Sequence, residues 1–163
     1  MTPLSQKIAA ALDARPLLGA LPCSVTVEEG PNRLSLNLTA TGPVGLAFTT
    51  LDFATTARPE ADWAPDALRA WADRIVARVT YLMEPLIVLE HDQSGGAVEL
   101  RSQAPTPRHD KHSYYQVHLN RNGALRLTRN VFDDATRRRR PAPCQMTLEV
   151  LERLTDDLVA SVA

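Results

Sequence analysis

Residues 112–131 read HSYYQVHLNRNGALRLTRNV, two runs of alternating polar and apolar side chains joined by Arg-Asn-Gly. A two-residue turn at the Asn-Gly pair would place Leu119 opposite Arg126 and mix apolar with charged side chains on each face of the hairpin. A three-residue loop with Gly123 in the left-handed conformation instead pairs Leu119 with Leu125 and separates the two faces. The sequence therefore predicts a three-residue loop with a glycine bulge.

This register turns one row of polar side chains outward, and we call this row the hairpin strip. Its members share one parity along the two strands: Tyr114, Gln116, His118, Arg126, Thr128 and Asn130. Arg129 falls on the opposite parity, facing Tyr115, and is expected near a margin of the sheet. The hairpin strip is the first candidate for a binding surface.

Further strand-like runs precede this hairpin. Residues 86–90 and 97–101 surround a Gly-Gly turn and predict a second hairpin. Upstream, three runs with a period of two are joined by Gly-Pro turns, which predicts an antiparallel meander. These runs span residues 23–28, 34–40 and 44–53. In the last of them the parity changes near Thr49-Thr50, so we expect a bulge there or a strand covered on both faces.

Three helices are predicted from apolar side chains that recur every three or four residues. Thr2 and Pro3 begin the first helix, and Thr147 begins the last. The middle helix is expected to be capped by Asp62, to run for about five turns and to stop before Pro85. Its apolar stripe, which is typical of a core face, contains Leu68, Trp71, Ile75, Val79 and Leu82.

The predicted order of elements is α-βββ-α-ββββ-α. Runs of strands separated by single helices indicate an α+β domain with an antiparallel sheet of about seven strands, because no regular strand–helix alternation supports parallel crossovers. At least one of the three helices is expected to pack on a face of the sheet. A chain of 163 residues can bury a substantial core, so we expect a single domain over residues 1–163.

The composition is typical of a soluble globular chain, with 44% hydrophobic and 23% charged residues. No apolar run is long enough for a membrane span, and the N-terminal residues lack the cationic start and apolar core of a secretory signal. Cys23 and Cys144 are each preceded by proline and fit buried or half-buried thiols in a reducing compartment. We therefore expect a cytoplasmic protein with no membrane partner and no cofactor.

Charge is distributed unevenly along the chain. Between Arg101 and Arg140, ten of the eighteen Lys and Arg residues accompany only three of the nineteen acids, a net charge of +7. The remaining eight basic and sixteen acidic residues give −8. The basic excess lies in a loop, on the hairpin and in the run Arg137-Arg138-Arg139-Arg140, whose like charges predict poor order.

Two kinds of partner fit this pattern. One is a protein, either a different chain or a second copy in a homodimer, bound through the hairpin strip and the arginines around it. The alternative assigns segment 101–140 to nucleic acid or another polyanion, with Tyr114, Tyr115 and His118 as stacking surfaces for bases. A pI of about 6.4 and the lack of a nucleic-acid motif count against that alternative.

A third interpretation is that the basic segment is only a solvated edge whose charge deters strand pairing. If the segment does bind, the candidate residues are Tyr114, Gln116, His118, Arg121, Arg126, Thr128, Arg129, Arg137, Arg138, Arg139 and Arg140.

Residue types that serve catalysis or metal binding are present without a diagnostic arrangement. The segment His109-Asp110-Lys111-His112 lies among prolines and cations, so we interpret it as a surface loop rather than a metal site. His91-Asp92 ends a predicted strand and has no defined nucleophile as its partner. We assign no catalytic and no metal-binding residue, and expect a binding domain rather than an enzyme.

The order helix, three-stranded meander, helix, hairpin, helix resembles that of type III secretion chaperones. This resemblance implies a small cytosolic dimer that binds segments of client proteins. The extra hairpin with its arginine run departs from the pattern, and the likeness lies in element order rather than in a sequence motif. The function predicted for the chain is a small non-catalytic interaction domain acting through residues 112–131 and the surrounding arginines.

Overall fold

The computed structural model describes residues 1–14, 20–102, 106–108 and 111–162, with the backbone alone at 106–108 and 111. Its helices are α1 (Pro3–Asp13), α2 (Pro65–Arg78) and α3 (Leu148–Ser161). Its strands are β1 (Cys23–Glu29), β2 (Asn32–Thr41), β3 (Leu46–Thr55), β4 (Leu86–Asp92), β5 (Ala97–Ser102), β6 (Thr106–Arg108), β7 (Lys111–Asn120), β8 (Ala124–Asp133), β9 (Arg138–Ala142) and β10 (Cys144–Met146).

One antiparallel sheet contains all ten of these strands. Seven lie side by side in the order β1-β2-β3-β8-β7-β5-β4, and these are the seven strands that the sequence predicts. The sequence does not predict the three short strands: β6 pairs with β7, β9 with β8 and β10 with β3. The α+β class, the antiparallel sheet and the order α-βββ-α-ββββ-α are confirmed.

The hairpin of β7 and β8 has the predicted three-residue loop. Asn120 pairs with Ala124 across the turn, and Leu119 lies opposite Leu125. Gly123 has φ 76°, a left-handed conformation that glycine adopts at little cost. The register deduced from side-chain parity is therefore confirmed, and the hairpin strip faces away from the core.

The change of parity in β3 is a β-bulge. Leu36 pairs with Leu51 and Leu38 pairs with Phe48, so β3 has one residue more than β2 between the two pairs. The extra residue falls at Thr49-Thr50, where the sequence predicts it. Because of the bulge, Phe48 and Leu51 both point into the core, where each is fully buried.

Strands β3 and β8 pair over a short length and then diverge. Residues 51–54 of β3 pair with residues 124–127 of β8. Beyond this point, β9 pairs with the second half of β8, whereas β10 pairs with the first half of β3. Strand β9 thus lies beside β8, the chain turns at Pro143, and β10 then lies beside β3. We call this divergence of β3 and β8 the fork.

The helices and the core lie on one face of the sheet, the inner face. Helix α1 contacts β1 and β2, helix α2 contacts β4 and β5, and helix α3 packs against the other two helices. Trp71 is fully buried and donates from Nε1 to the Ser161 hydroxyl at 2.9 Å, which joins α2 to α3. The predicted packing of helices on the sheet is confirmed, and the polar outer face lies opposite.

Helix α2 is shorter than the sequence predicts. Asp62 lies in a separate 3-10 turn and does not cap α2, which begins at Pro65. The helix ends at Arg78, although Val79 and Leu82 continue the apolar period and are buried. The apolar period overestimates the length of the helix, because these last two apolar residues are buried although their backbone is not helical.

The other two helices have the predicted caps. The hydroxyl of Thr2 accepts a hydrogen bond from the Ser5 amide, and that of Thr147 accepts one from the Val150 amide, each at 3.2 Å. Among the helices of the described residues, none is both long and apolar enough to cross a membrane.

Candidate binding surface at the fork of the sheet

The outer face carries a row of charged side chains in register across four strands. Asp52 of β3 lies opposite Arg126 of β8, which lies opposite His118 of β7, which in turn faces Glu99 of β5. Arg126 Nε donates to Asp52 Oδ1 at 2.7 Å, and His118 Nδ1 lies 2.5 Å from Glu99 Oε1. The hydrogen bond to Asp52 raises the pKa of Arg126. Each basic side chain of the row is thus held by a carboxylate.

Two amide side chains extend this network toward the fork. Gln116 Nε2 donates to Glu99 Oε2 at 2.9 Å, and Asn130 Nδ2 donates to Gln116 Oε1 at 3.0 Å. These bonds fix which end of each amide is donor and which is acceptor. This part of the hairpin strip therefore presents polar groups that hydrogen bonds within the sheet hold in place.

At the fork, the outer face sinks into a concavity of about 500 Å³, which we call the fork concavity. It forms where the divergence of β3 and β8 opens the sheet and β9 provides a further wall. Five members of the hairpin strip and Arg139 meet there. The complete lining is Thr49, Thr50, Gln116, His118, Arg126, Thr128, Asn130, Arg139 and Pro141.

Sequence reasoning misses three lining residues, Thr49, Thr50 and Pro141. A signal for the two threonines exists, because the predicted bulge lies at their position and bulges often occur beside functional sites. Pro141 has no such signal, since its place depends on the pairing of β9 with β8.

Tyr114, the aromatic end of the hairpin strip, is enclosed and only 5% exposed. The guanidinium carbon of Arg101 lies 4.6 Å from its ring centroid, and Arg139 Nη1 donates to its hydroxyl oxygen at 3.3 Å. A cation–π contact of this kind orders the arginine over the ring. Tyr114 therefore supports two arginines and is not a platform on which a base could stack.

Arg129 lies on the inner side, as the register predicts, and outside the fork concavity. It is 8% exposed, and its guanidinium carbon lies 4.4 Å from the ring centroid of Tyr115. Its Nη2 lies 3.6 Å from the sulfur of Met83. Burial is the main cause that raises the pKa of Tyr115. Arg129 and Tyr115 belong to the margin of the core and face away from the outer surface.

Arg121 lies at the hairpin turn and does not line the fork concavity. Its Nε is 3.6 Å from Glu60 Oε1, and its backbone amide donates to the Gly96 carbonyl at 3.1 Å. This exposed ion pair contributes little to stability.

The arginine run is a strand, so the prediction of poor order is wrong. Arg137 has φ 59° and ends the turn before β9, whose residues pair with β8. Arg139 lies opposite Phe132 and shares the outer face with it, whereas Arg138 and Arg140 alternate to the other side. Backbone pairing with β8 and this alternation of side chains offset the repulsion between neighbouring charges.

The two thiols, His91 and His112 lie outside the lining of the fork concavity. Cys144 is fully buried, which raises the pKa of its thiol to about 12, and Cys23 is half-buried. His112 Nε2 lies 2.6 Å from Asp134 Oδ2, whereas residues 109–110 are outside the described chain. Among the side chains that the structure describes, no three His, Cys, Asp or Glu groups converge on a metal position.

His91 and Asp92 serve the end of the β4–β5 hairpin. The amide of Gly95 donates to Asp92 Oδ1 at 2.8 Å, and the hydroxyl of Ser94 donates to the same oxygen at 3.1 Å. These bonds, with that of Gly95 the largest cause, lower the pKa of Asp92. The Asp92 carboxylate therefore accepts hydrogen bonds within the turn and does not orient a catalytic histidine.

Comparison with known proteins finds no match among family models, curated proteins or solved structures. The fork concavity is therefore identified as the candidate binding surface from its geometry and the chemistry of its side chains.

Proposed function

We propose that this protein is a non-catalytic binding domain that receives a segment of a partner protein in the fork concavity. The observation that carries this proposal is the concavity itself, in which hydroxyl, amide and guanidinium groups of four strands meet on an exposed sheet face. Concavities of similar volume lie beside Gly45 and beside Arg121, so the choice of the fork concavity rests on its lining side chains and not on its volume of about 500 Å³. Several lining side chains are already held by hydrogen bonds to neighbouring strands, so little ordering is required on binding.

His118 is the lining residue with the most catalytic potential, and its contacts favour recognition. Its Nδ1 is paired with Glu99, an arrangement that orients the general base in many enzymes. Nucleophilic catalysis also needs a hydroxyl or thiol bonded to the other ring nitrogen. Within the described chain, the hydrogen bonds of the His118 ring are confined to Glu99. We therefore assign His118 to partner binding.

The alternative function, binding of nucleic acid or another polyanion by segment 101–140, has less support. Arg126 is paired with a carboxylate, Arg129 is buried, and Tyr114 is enclosed. Among the basic side chains that the structure describes, only Arg126 and Arg139 meet in the fork concavity, and the enclosed ring of Tyr114 cannot stack on a base.

Self-association, a chaperone-like role and a cytoplasmic location remain predictions. A second copy of the chain would find an apolar surface on the edge strand β4, where Ile87 and Leu89 are exposed. The order of elements that resembles type III secretion chaperones gives the same expectation of a dimer.

The proposal can be tested by selecting random displayed peptides against the protein and measuring their affinity for two variants. Thr128→Trp places a bulky uncharged side chain in the fork concavity, whereas Thr26→Trp places the same side chain on the outer face of β1, away from the fork. We expect Thr128→Trp to weaken the selected peptides by about tenfold or more and Thr26→Trp by less than about twofold. Equal losses for the two variants would contradict the proposal.

A further inference from the structure

We infer that the partner segment is acidic and that an Asp or Glu side chain of this segment binds Arg139 in the fork concavity. This inference rests on the proposed function and names the chemistry of the partner. Two of the nine lining residues, Arg126 and Arg139, carry a permanent positive charge, and none is Asp or Glu. A chain with carboxylates is the peptide chemistry that complements such a surface.

The acids of the adjoining network are already engaged. Asp52 accepts hydrogen bonds from Arg126 at 2.7 and 3.3 Å. Glu99 contacts Gln116 through one oxygen and His118 through the other. These carboxylates lie beside the concavity and not in its lining, and among the described residues neither of them, nor any other carboxylate, forms an ion pair with Arg139.

Arg139 retains unused binding capacity. It is exposed on β9, and its hydrogen bond goes to the hydroxyl of Tyr114 at 3.3 Å. It forms no ion pair with any residue in the described part of the chain. A guanidinium group has five N–H donors in a planar fork that matches a carboxylate. Because Arg101 braces Tyr114, and Tyr114 in turn holds Arg139, this donor group is positioned before binding.

An acidic peptide fits this face better than a phosphate backbone. On an extended peptide, alternate side chains on one face are about 7 Å apart, and neutral residues can be placed over Asp52 and Glu99. A nucleic-acid strand has a phosphate at every nucleotide and would meet repulsion at both acids. Its bases would also find Tyr114 enclosed.

The test measures fluorescence anisotropy with labelled peptides of equal length made of Asp-Ser, Asn-Ser or Lys-Ser repeats. Single-stranded DNA with the same number of negative charges as the Asp-Ser peptide is a fourth probe. The protein variants are Arg139→Gln, Arg139→Lys and the control Arg33→Gln. Arg33 is exposed at the other side of the outer face, where its Nε lies 3.7 Å from Glu28, so its substitution removes the same charge outside the concavity.

We expect the Asp-Ser peptide to bind most tightly. Arg139→Gln should weaken it about tenfold, Arg139→Lys should restore most of the affinity, and Arg33→Gln should change it by less than about twofold. Equal affinity of the Asn-Ser or Lys-Ser peptide, tighter binding of the DNA, or equal losses from Arg139→Gln and Arg33→Gln would overturn the inference.

The two proposals fail separately. If the Asn-Ser peptide binds as tightly as the Asp-Ser peptide and Thr128→Trp abolishes both, the acidic partner is wrong and the proposed function stands. If Thr128→Trp leaves every peptide unaffected, both proposals are overturned.

Discussion

Gly123 fixes the register of the β7–β8 hairpin, and the register decides which side chains reach the fork concavity. Side-chain parity is sufficient to locate this glycine, because a slip of one residue would move Leu119 and Leu125 from the core to solvent. Parity does not determine exposure, however. Tyr114 has the parity of the hairpin strip but is covered by Arg101 and Arg139, whose positions depend on strands β5 and β9.

Gly123→Ala is expected to cost about 2–3 kcal/mol of folding free energy and Gly30→Ala about 1 kcal/mol. Both glycines have positive φ, 76° and 55°, so both substitutions strain the backbone. A Cβ at Gly123 would also lie 2.5 Å from the Thr55 carbonyl oxygen, whereas a Cβ at Gly30 would meet nothing within 4 Å. Urea unfolding measures both, and equal losses would show that the contact with Thr55 is unimportant.

Asp156 should make stability depend on pH. It accepts hydrogen bonds from the amide and the hydroxyl of Thr2, each at 2.8 Å. Burial alone would raise the pKa of Asp156, but the hydrogen bonds with Thr2 and Ser5 contribute to outweighing burial and the pKa is lowered. The stabilisation is therefore present above the unfolded-state pKa of about 4 and is lost as pH falls through the folded-state value.

Asp156→Asn is accordingly expected to cost about 1 kcal/mol at neutral pH. The difference from the native chain should shrink as pH falls through the folded-state pKa of Asp156, below which the carboxyl group is protonated in both the folded and unfolded states. Urea unfolding over a series of acidic pH values, compared with neutral pH, provides the measurement. A difference that does not change with pH would refute the role of the ionised carboxylate.

At the scale of elements, a helix or strand can be predicted when the pattern of its own residues records which face is buried. Strands such as β2 and β3 are predictable because their alternation records a buried face. Strand β9 is not predictable in this way, because its arginines do not alternate with apolar residues. The strand is ordered by its pairing with β8. The end of α2 is missed for the opposite reason, since Val79 and Leu82 are buried without being helical.

Amide hydrogen exchange tests whether β9 is a strand. The amides of residues 138–142 that bond to β8 should exchange at least about tenfold more slowly than unstructured peptides of the same sequence. Because antiparallel pairing alternates, the remaining amides of β9 should be less protected. Exchange at the unstructured rate throughout this segment would restore the prediction of poor order.

At the scale of the whole molecule, the sheet separates a core face from an exposed polar face. The basic residues that cause the charge asymmetry lie in different environments. Arg129 turns inward, Arg121 remains at the hairpin turn, and the arginine run continues the sheet as β9. Six of the nine lining residues of the fork concavity are predictable from the hairpin strip and the arginine run. The concavity itself is not, since it arises from the divergence of two strands whose partners are distant in sequence.

The claim that a partner segment occupies the fork concavity is tested most directly by mapping amide chemical shifts. Nitrogen-15-labelled protein would be titrated with a peptide obtained from the selection. The account predicts that the largest shifts occur at Thr49, Thr50, Thr128 and Asn130, with little change along β1. Largest shifts on β1 or on the helices of the inner face would contradict it.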